Sequence, residues 1–136
     1  MNGNAFLDGP REYFDLVVES MREHVALTEE LGEGSWLRLL GSLTWAGDEQ
    51  TRVMLRANVE RLNELGYPGE LLTPLQAREL EPDLSLDPDD EIVFFPGEGW
   101  VVTLPLINAL LNRATALGAE VLPHTRVVEV TRNEAS

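Results

Sequence analysis

The spacing of apolar residues constrains the fold of this chain more than any other feature of its sequence. Segments whose apolar residues recur every three or four positions alternate with short apolar segments bounded by glycine and proline. The helical segments are predicted over residues 11–31, 50–65, 73–80 and 103–117. A chain of 136 residues is long enough to form one domain with its own core. The pattern therefore predicts a mixed α+β fold.

The ends of the predicted helices carry residues that start or stop a helix. Pro10 is suited to the first helical position, and the side chains of Asp48 and Thr73 are placed to cap the second and third helices. Gly66 and Gly118 follow the second and fourth helices, where glycine readily ends a helix. The predicted apolar stripes are Val53, Met54, Ala57, Leu62 and Leu65 in the second helix, and Leu106, Ile107, Leu110, Leu111, Ala114 and Leu117 in the fourth.

Short apolar runs between the helices predict the strands. The region 35–45 indicates one or two strands with a kink near Gly41, since a glycine within a strand often marks a bend. Further strands are predicted at 71–72, 91–95, 100–102, 119–123 and 126–131. The resulting order is helix, strand, helix, short helix, strand, helix and two final strands.

Composition excludes several classes of function. The chain has no cysteine, so disulfides, thiolate catalysis and cysteine-ligated metals are excluded. All ten basic residues are arginine, which removes Schiff-base chemistry, and the net charge of −14 disfavours binding to nucleic acids or anionic membranes. There is no membrane-spanning apolar run and no secretory leader pattern. We therefore expect a soluble, cytoplasmic protein.

Metal and phosphate sites are not predicted from the motifs. His24 and His124 are a hundred positions apart, and the acidic run 87–91 lacks the spacing of a calcium loop, so solvated surface is the favoured interpretation. The glycine pairs at 32–34 and 97–99 lack the third glycine of a dinucleotide-binding turn. Neither a metal ligand nor a catalytic residue can be assigned from the sequence.

The most informative stretch is 96–130, which reads as a strand, a helix that begins near a proline, a Gly-Ala pair and a strand rich in valine. It resembles the FAD-dependent amine and amino-acid oxidases, the family that includes D-amino-acid, glycine and sarcosine oxidases. The residues that carry this resemblance are Glu98-Gly99, Pro105, Gly118-Ala119 and Thr125 to Val127. An unrelated α+β domain remains the alternative, because a glycine-capped helix returning to a sheet is common.

A second stretch resembles the same family in the same order. It consists of Leu65-Gly66, Leu72-Thr73, Ala77, Glu79-Leu80 and Glu81-Pro82. Together the two stretches cover roughly positions 60 to 131, and it is their ordered co-occurrence that makes the resemblance specific.

The resemblance implies a fold and a division of the chain. It implies an antiparallel sheet covered by helices on one face, which ends in strands of an incomplete FAD domain. Residues 1–102 would form a region like the family's substrate domain, and residues 103–136 would return toward a missing FAD-binding domain. The chain would then be an internal fragment, with a possible homodimer through its exposed apolar face.

The resemblance also implies a chemistry. The full-length protein would oxidise a small amine, an amino acid or a related 2-hydroxy acid by hydride transfer to FAD, and the fragment alone would be inactive. One cofactor contact can be carried over: the backbone of Val127 would face the adenine end of FAD. The alternative is a complete, small, acidic α+β module that binds a protein partner through Trp36, Trp45 and Trp100.

Overall fold

The computed structural model describes residues 10–32 and 34–131. Its elements in chain order are α1 (Arg11–Leu31), β1 (Leu37–Arg38), β2 (Ser42–Ala46), α2 (Glu49–Glu64), β3 (Glu70–Leu72), α3 (Pro74–Leu80), β4 (Glu91–Phe95), β5 (Trp100–Val101) and α4 (Thr103–Ala116). Within these two ranges, no helix combines the length and the apolar character needed to cross a membrane. The predicted mixture of helices and strands is confirmed.

Strand β4 lies at the centre of a three-stranded sheet whose order is β2-β4-β3. Ser42 of β2 lies opposite Phe95, and Leu72 of β3 lies opposite Ile92. The two-residue strands β1 and β5 form a second, smaller sheet. All three pairings are antiparallel, which confirms the predicted antiparallel arrangement.

Alternation along β4 sends its side chains to two different cores. Val93 and Phe95 face the long helices α1 and α2. The core on this side consists of Phe14, Val59, Leu62, Tyr67, Val93 and Phe95. Ile92 points to the other face, where it packs with Ala77 of α3 and Leu86 of the following loop. The long helices thus cover one face of the sheet, as expected, and the short α3 covers part of the opposite face.

Only the C-terminal part of the predicted stripe of α2 faces the core. Leu62 is buried and Leu65 is partly buried, whereas Val53 and Met54 are 54% and 56% exposed. The buried face is completed by Val59, which lies outside the predicted stripe. Apolar residues lie on more than one face of this helix, and its sequence alone does not say which of them packs on the sheet.

Two arginine side chains of α2 form hydrogen bonds with the start of β4 and the loop before it. The guanidinium of Arg56 donates two hydrogen bonds to the carboxylate of Glu91, at 2.8 and 2.6 Å. These bonds raise the pKa of Arg56 and hold the pKa of Glu91 below its ordinary value. Arg52 adds a hydrogen bond to the carbonyl oxygen of Asp89, so the contact fixes both the helix and the loop before β4.

The predicted helix caps are largely confirmed. The Asp48 carboxylate accepts hydrogen bonds from the hydroxyl and the backbone N–H of Thr51, and these bonds lower the pKa of Asp48. Thr73 and Gln76 form a reciprocal capping box at the start of α3. Pro10 is the cap residue of α1 and not its first helical residue. These interactions are local, which is why the sequence predicts them well.

Helix α4 buries little of its predicted stripe. Ala109 is its only buried residue, while Leu110 and Leu111 are each 42% exposed. The main contact of α4 is with α1, so no sheet covers most of its apolar side in the described part of the chain. The predicted stripe therefore remains an exposed apolar face.

The two final predicted strands are not formed. Residues 119–131 have no strand pairing, and Val127, Val128 and Val130 are 76%, 83% and 88% exposed. A strand needs a neighbour for its backbone hydrogen bonds, and none of β1–β5 pairs with this segment. Valine-rich alternation indicates strand propensity and cannot supply the missing neighbour. The predicted division of the chain into residues 1–102, like a substrate domain, and residues 103–136, which return toward an FAD-binding domain, stays a prediction.

Gly99 lies where the turn between β4 and β5 meets the backbone of β1. A Cβ atom at this position would overlap the carbonyl oxygen of Arg38. The β1–β5 pairing therefore depends on the absence of a side chain here, whereas a Cβ at Gly97, in the same turn, would meet nothing within 4 Å.

We expect Gly99→Ala to lower the free energy of unfolding by about 1–3 kcal/mol, because the backbone of β1 or β5 must move. Urea unfolding followed by circular dichroism measures this change. Gly97→Ala is the matched control and should stay within about 0.5 kcal/mol of the parent. Equal unfolding midpoints for the two variants would contradict the close approach.

Candidate functional site

A carboxylate is fully buried in the turn between β4 and β5. Glu98 is 0% exposed and is the one charged residue in the buried class among those described. A buried carboxylate is costly unless hydrogen bonds replace its water. The arrangement around Glu98 therefore has to compensate for that loss.

Hydroxyl groups from two distant parts of the chain bind this carboxylate. Tyr67 donates a hydrogen bond to Oε1 at 2.6 Å, and Ser42 donates one to Oε2. The backbone carbonyl of Glu98 also accepts a hydrogen bond from the N–H of Gly41 at 2.9 Å. Each carboxylate oxygen thus accepts a hydrogen bond from a hydroxyl group, which replaces water lost on burial.

The three elements that meet at Glu98 explain its position. Tyr67 follows α2 after Gly66, whose φ of 75° lets the chain leave the helix. Ser42 is the first residue of β2, opposite Phe95 near the end of β4. Glu98 therefore joins the exit of α2, the start of β2 and the turn after β4. Because Glu98 has no exposed surface, the role of its hydrogen bonds is to hold these three elements in position.

Close to Ser42 lies a pocket of about 370 Å³ on the α3 side of the sheet. Its apolar lining consists of Leu40, Leu43, Trp45, Leu80, Leu84 and Phe94, and the remaining lining residues are Gly41, Ser42 and Glu81. Its volume falls within the range of small-molecule sites, which are mostly apolar with a few polar groups. The backbone carbonyl of Glu98 accepts a hydrogen bond from Gly41 and its carboxylate accepts one from Ser42, so Glu98 supports the wall of this pocket.

The tryptophans do not form the shared surface that the partner-binding alternative requires. Trp36 is fully buried, and its ring lies edge-to-face against His24 with 6.2 Å between the centroids. Trp45 and Trp100 are 47% and 51% exposed, but they lie in different sheets. Trp45 belongs to the pocket. The prediction that Trp36 forms an exposed surface with Trp45 and Trp100 is therefore wrong, because Trp36 is buried.

The structure does not bring the predicted cofactor contact to the pocket or to Glu98. Val127 lies in the exposed segment 119–131, and its contact with FAD stays a prediction. His124 lies in an exposed turn of the same segment, whereas the ring of His24 packs against the ring of Trp36. Within 10–32 and 34–131, no three histidine or acidic residues are grouped as a metal would require.

The sequence alone does not identify the residues that form this site. Glu98 stands out only through the family resemblance, and no motif marks Tyr67 or Ser42. The available signal is a glutamate between two glycines in a turn, where a small neighbour such as Gly99 permits close backbone approach. Its hydroxyl partners lie 31 and 56 positions away, beyond the reach of a local pattern.

One protein family matches nearly the whole of this chain. Residues 2–136 match the sequence model of the family described as DAO, FAD dependent oxidoreductase. A mouse (Mus musculus) protein named pyruvate dehydrogenase phosphatase regulatory subunit, mitochondrial, is 26% identical over 104 residues, which cover 76% of this chain. The crystal structure of L-proline dehydrogenase from P. horikoshii superposes with a TM-score of 0.61 and 26% identity over 75% of this chain. The matches span 12% of the mouse protein and 28% of the P. horikoshii chain.

We expect Glu98→Gln to lower the free energy of unfolding by about 1–3 kcal/mol, because the amide nitrogen cannot accept the hydrogen bond that one of the two hydroxyl groups donates. Chemical denaturation measures the change, and Glu70→Gln on the exposed start of β3 is the control. Tyr67→Phe should have a similar effect. The double variant should lose less than the sum of the two, and strict additivity would show that the two groups do not interact.

Proposed function

Because the chain belongs to the DAO family of FAD-dependent oxidoreductases, we propose that it forms part of a flavoenzyme that oxidises an amine, an amino acid or a related 2-hydroxy acid. The observation that carries the proposal is the family match over residues 2–136. The similarity in fold to an L-proline dehydrogenase, at a TM-score of 0.61, supports an amino acid as substrate. The chain spans 28% of that relative's length, so this activity is proposed for the full-length protein.

The residues described here do not by themselves fit the phosphates of FAD. A dinucleotide site needs a glycine-rich turn between a strand and a helix. The sequence contains no such G-x-G-x-x-G run, and α2, α3 and α4 begin after Asp48, Thr73 and Val102. In this proposal the flavin phosphates are bound elsewhere in the full-length protein, and the chain alone is inactive.

The reaction proposed for an amine removes two electrons and two protons from the substrate. The carbon next to nitrogen gives up a hydride and the nitrogen gives up a proton, which leaves a C=N bond; FAD, bound elsewhere in the full-length protein, would supply the hydride acceptor. The contribution of this chain is structural: its sheet, with Glu98 fixing the turn after β4, forms part of the substrate-side domain. A net charge of −14 supports a small-molecule substrate over nucleic acids or anionic membranes, and a cytoplasmic location remains part of the proposal.

A role in binding a protein partner is the second candidate. One observation favours it: the mouse relative is named a regulatory subunit. The exposed apolar side of α4, with Leu110 and Leu111 each 42% exposed, could serve such a partner or a second copy of the chain. Flavin content separates the two candidates, because a purely regulatory module has no need to bind FAD.

The enzyme assignment is tested on the full-length protein that contains this chain. Purified protein should show flavin absorbance, and anaerobic addition of L-proline, sarcosine or a D-amino acid should bleach it as the flavin is reduced. A 2-hydroxy acid provides the oxygen analogue of these substrates. A protein without flavin, or a flavin that none of these compounds reduces, would contradict the proposal and favour the partner-binding role.

The predicted cofactor contact at Val127 is tested by a substitution that removes its N–H. In the full-length protein, Val127→Pro should lower FAD retention roughly fivefold or more, since a lost hydrogen bond in a binding site costs about 1–3 kcal/mol. Val127→Ala keeps the backbone N–H and is the matched control. Flavin released on gel filtration measures retention, and equal retention in both variants would remove Val127 from the cofactor site.

A further inference from the structure

The thioether of Met21 on α1 lies against a hydroxyl group that binds the buried carboxylate. Its Sδ is 3.9 Å from Oη of Tyr67, and the same hydroxyl donates a hydrogen bond to Oε1 of Glu98 at 2.6 Å. Met21 is partly buried and packs against the core that contains Tyr67. Because a thioether is only a weak acceptor, the hydroxyl proton of Tyr67 is donated to Glu98 and not to the sulfur.

Met21 is accessible from solvent to a small molecule. It lines a pocket of about 270 Å³ between α1 and the turn after α2, together with Tyr67 and Pro68. Hydrogen peroxide fits in this volume, since a water molecule occupies about 30 Å³ in the liquid. Arg22 also lines the pocket, but its guanidinium pairs with the carboxylate of Glu19 at 3.1 Å. The donor in contact with the sulfur is therefore the hydroxyl of Tyr67.

We propose that Met21 is a site of reversible oxidation by hydrogen peroxide, and that the resulting sulfoxide draws the hydroxyl of Tyr67 away from Glu98. A lone pair of the sulfur attacks one oxygen of the peroxide, and the O–O bond breaks. The proton on the transferred oxygen passes to the departing hydroxide, which leaves as water. Sulfur thereby loses two electrons to the peroxide and becomes a sulfoxide. The polar sulfoxide oxygen then competes with Glu98 for the single hydroxyl proton of Tyr67.

Oxidation of Met21 therefore weakens the support of the turn after β4. Loss of the hydrogen bond from Tyr67 is costly for Glu98, because its carboxylate is buried. The backbone carbonyl of Glu98 accepts a hydrogen bond from the N–H of Gly41 at 2.9 Å, so deuterium exchange at this amide reports whether the turn is held in place. The inference needs only these contacts and an added peroxide, and it does not depend on the proposed flavin chemistry.

The test treats the full-length protein with dilute hydrogen peroxide, without any substrate, and follows it by peptide mass spectrometry. Met21 should gain one oxygen atom, and deuterium exchange in the peptide that contains Gly41 should become roughly fivefold or more faster. Met54, which is 56% exposed on α2, is the matched control. Met21→Leu, a change of similar volume, should abolish the faster exchange, whereas Met54→Leu should keep it. Treatment with methionine sulfoxide reductases should restore slow exchange.

Tyr67→Phe separates competition for the hydroxyl from a general effect of the polar sulfoxide. This variant has no hydroxyl to redirect, so exchange at Gly41 should be raised already and should not rise further when Met21 is oxidised. The proposal would be overturned if Met21 stayed reduced while Met54 was oxidised, if the faster exchange persisted in Met21→Leu, or if Tyr67→Phe showed an equal further rise. A full-length protein without flavin would refute the proposed enzyme and leave this result intact.

Discussion

Strand β4 is the element on which the other contacts of this fold depend. In the described part of the chain it is the one strand of the larger sheet with neighbours on both edges, and it has cores on both faces. Val93 and Phe95 connect it to α1 and α2, while Ile92 connects it to α3. Fixing β4 therefore fixes both layers at once. Glu98, three positions after its end, extends this control to the turn that precedes β5.

What the sequence predicts correctly is governed by neighbours along the chain. The cap at Asp48 and the capping box of Thr73 and Gln76 form within one helical turn, so residue type and spacing are enough to identify them. The antiparallel arrangement of the sheet is predicted by the family resemblance and not by neighbours along the chain. The structural similarity to a dehydrogenase of known fold supports that resemblance.

What the sequence does not predict depends on partners far away in the chain. The buried face of α2 is selected by Phe14 and Phe95, and the apolar stripe of α4 finds only α1 as its main contact. Val127 and its neighbours have strand-like alternation but no pairing strand. The candidate site is not predicted for the same reason. The two hydroxyl groups that bind the carboxylate of Glu98 belong to Tyr67 and Ser42, which lie far from it in the chain.

The strand order also has a consequence for the time at which the fold can form during synthesis. Strands β2 and β3 precede β4 in the chain, yet they pair with β4 and not with each other. On the ribosome, neither can complete its pairing until residues 91–95 have left the exit tunnel. In that interval Trp45 and Leu71 belong to unpaired strands that other nascent chains or chaperones can contact. The larger sheet is thus completed by its central strand, after both of its edge strands have been synthesised.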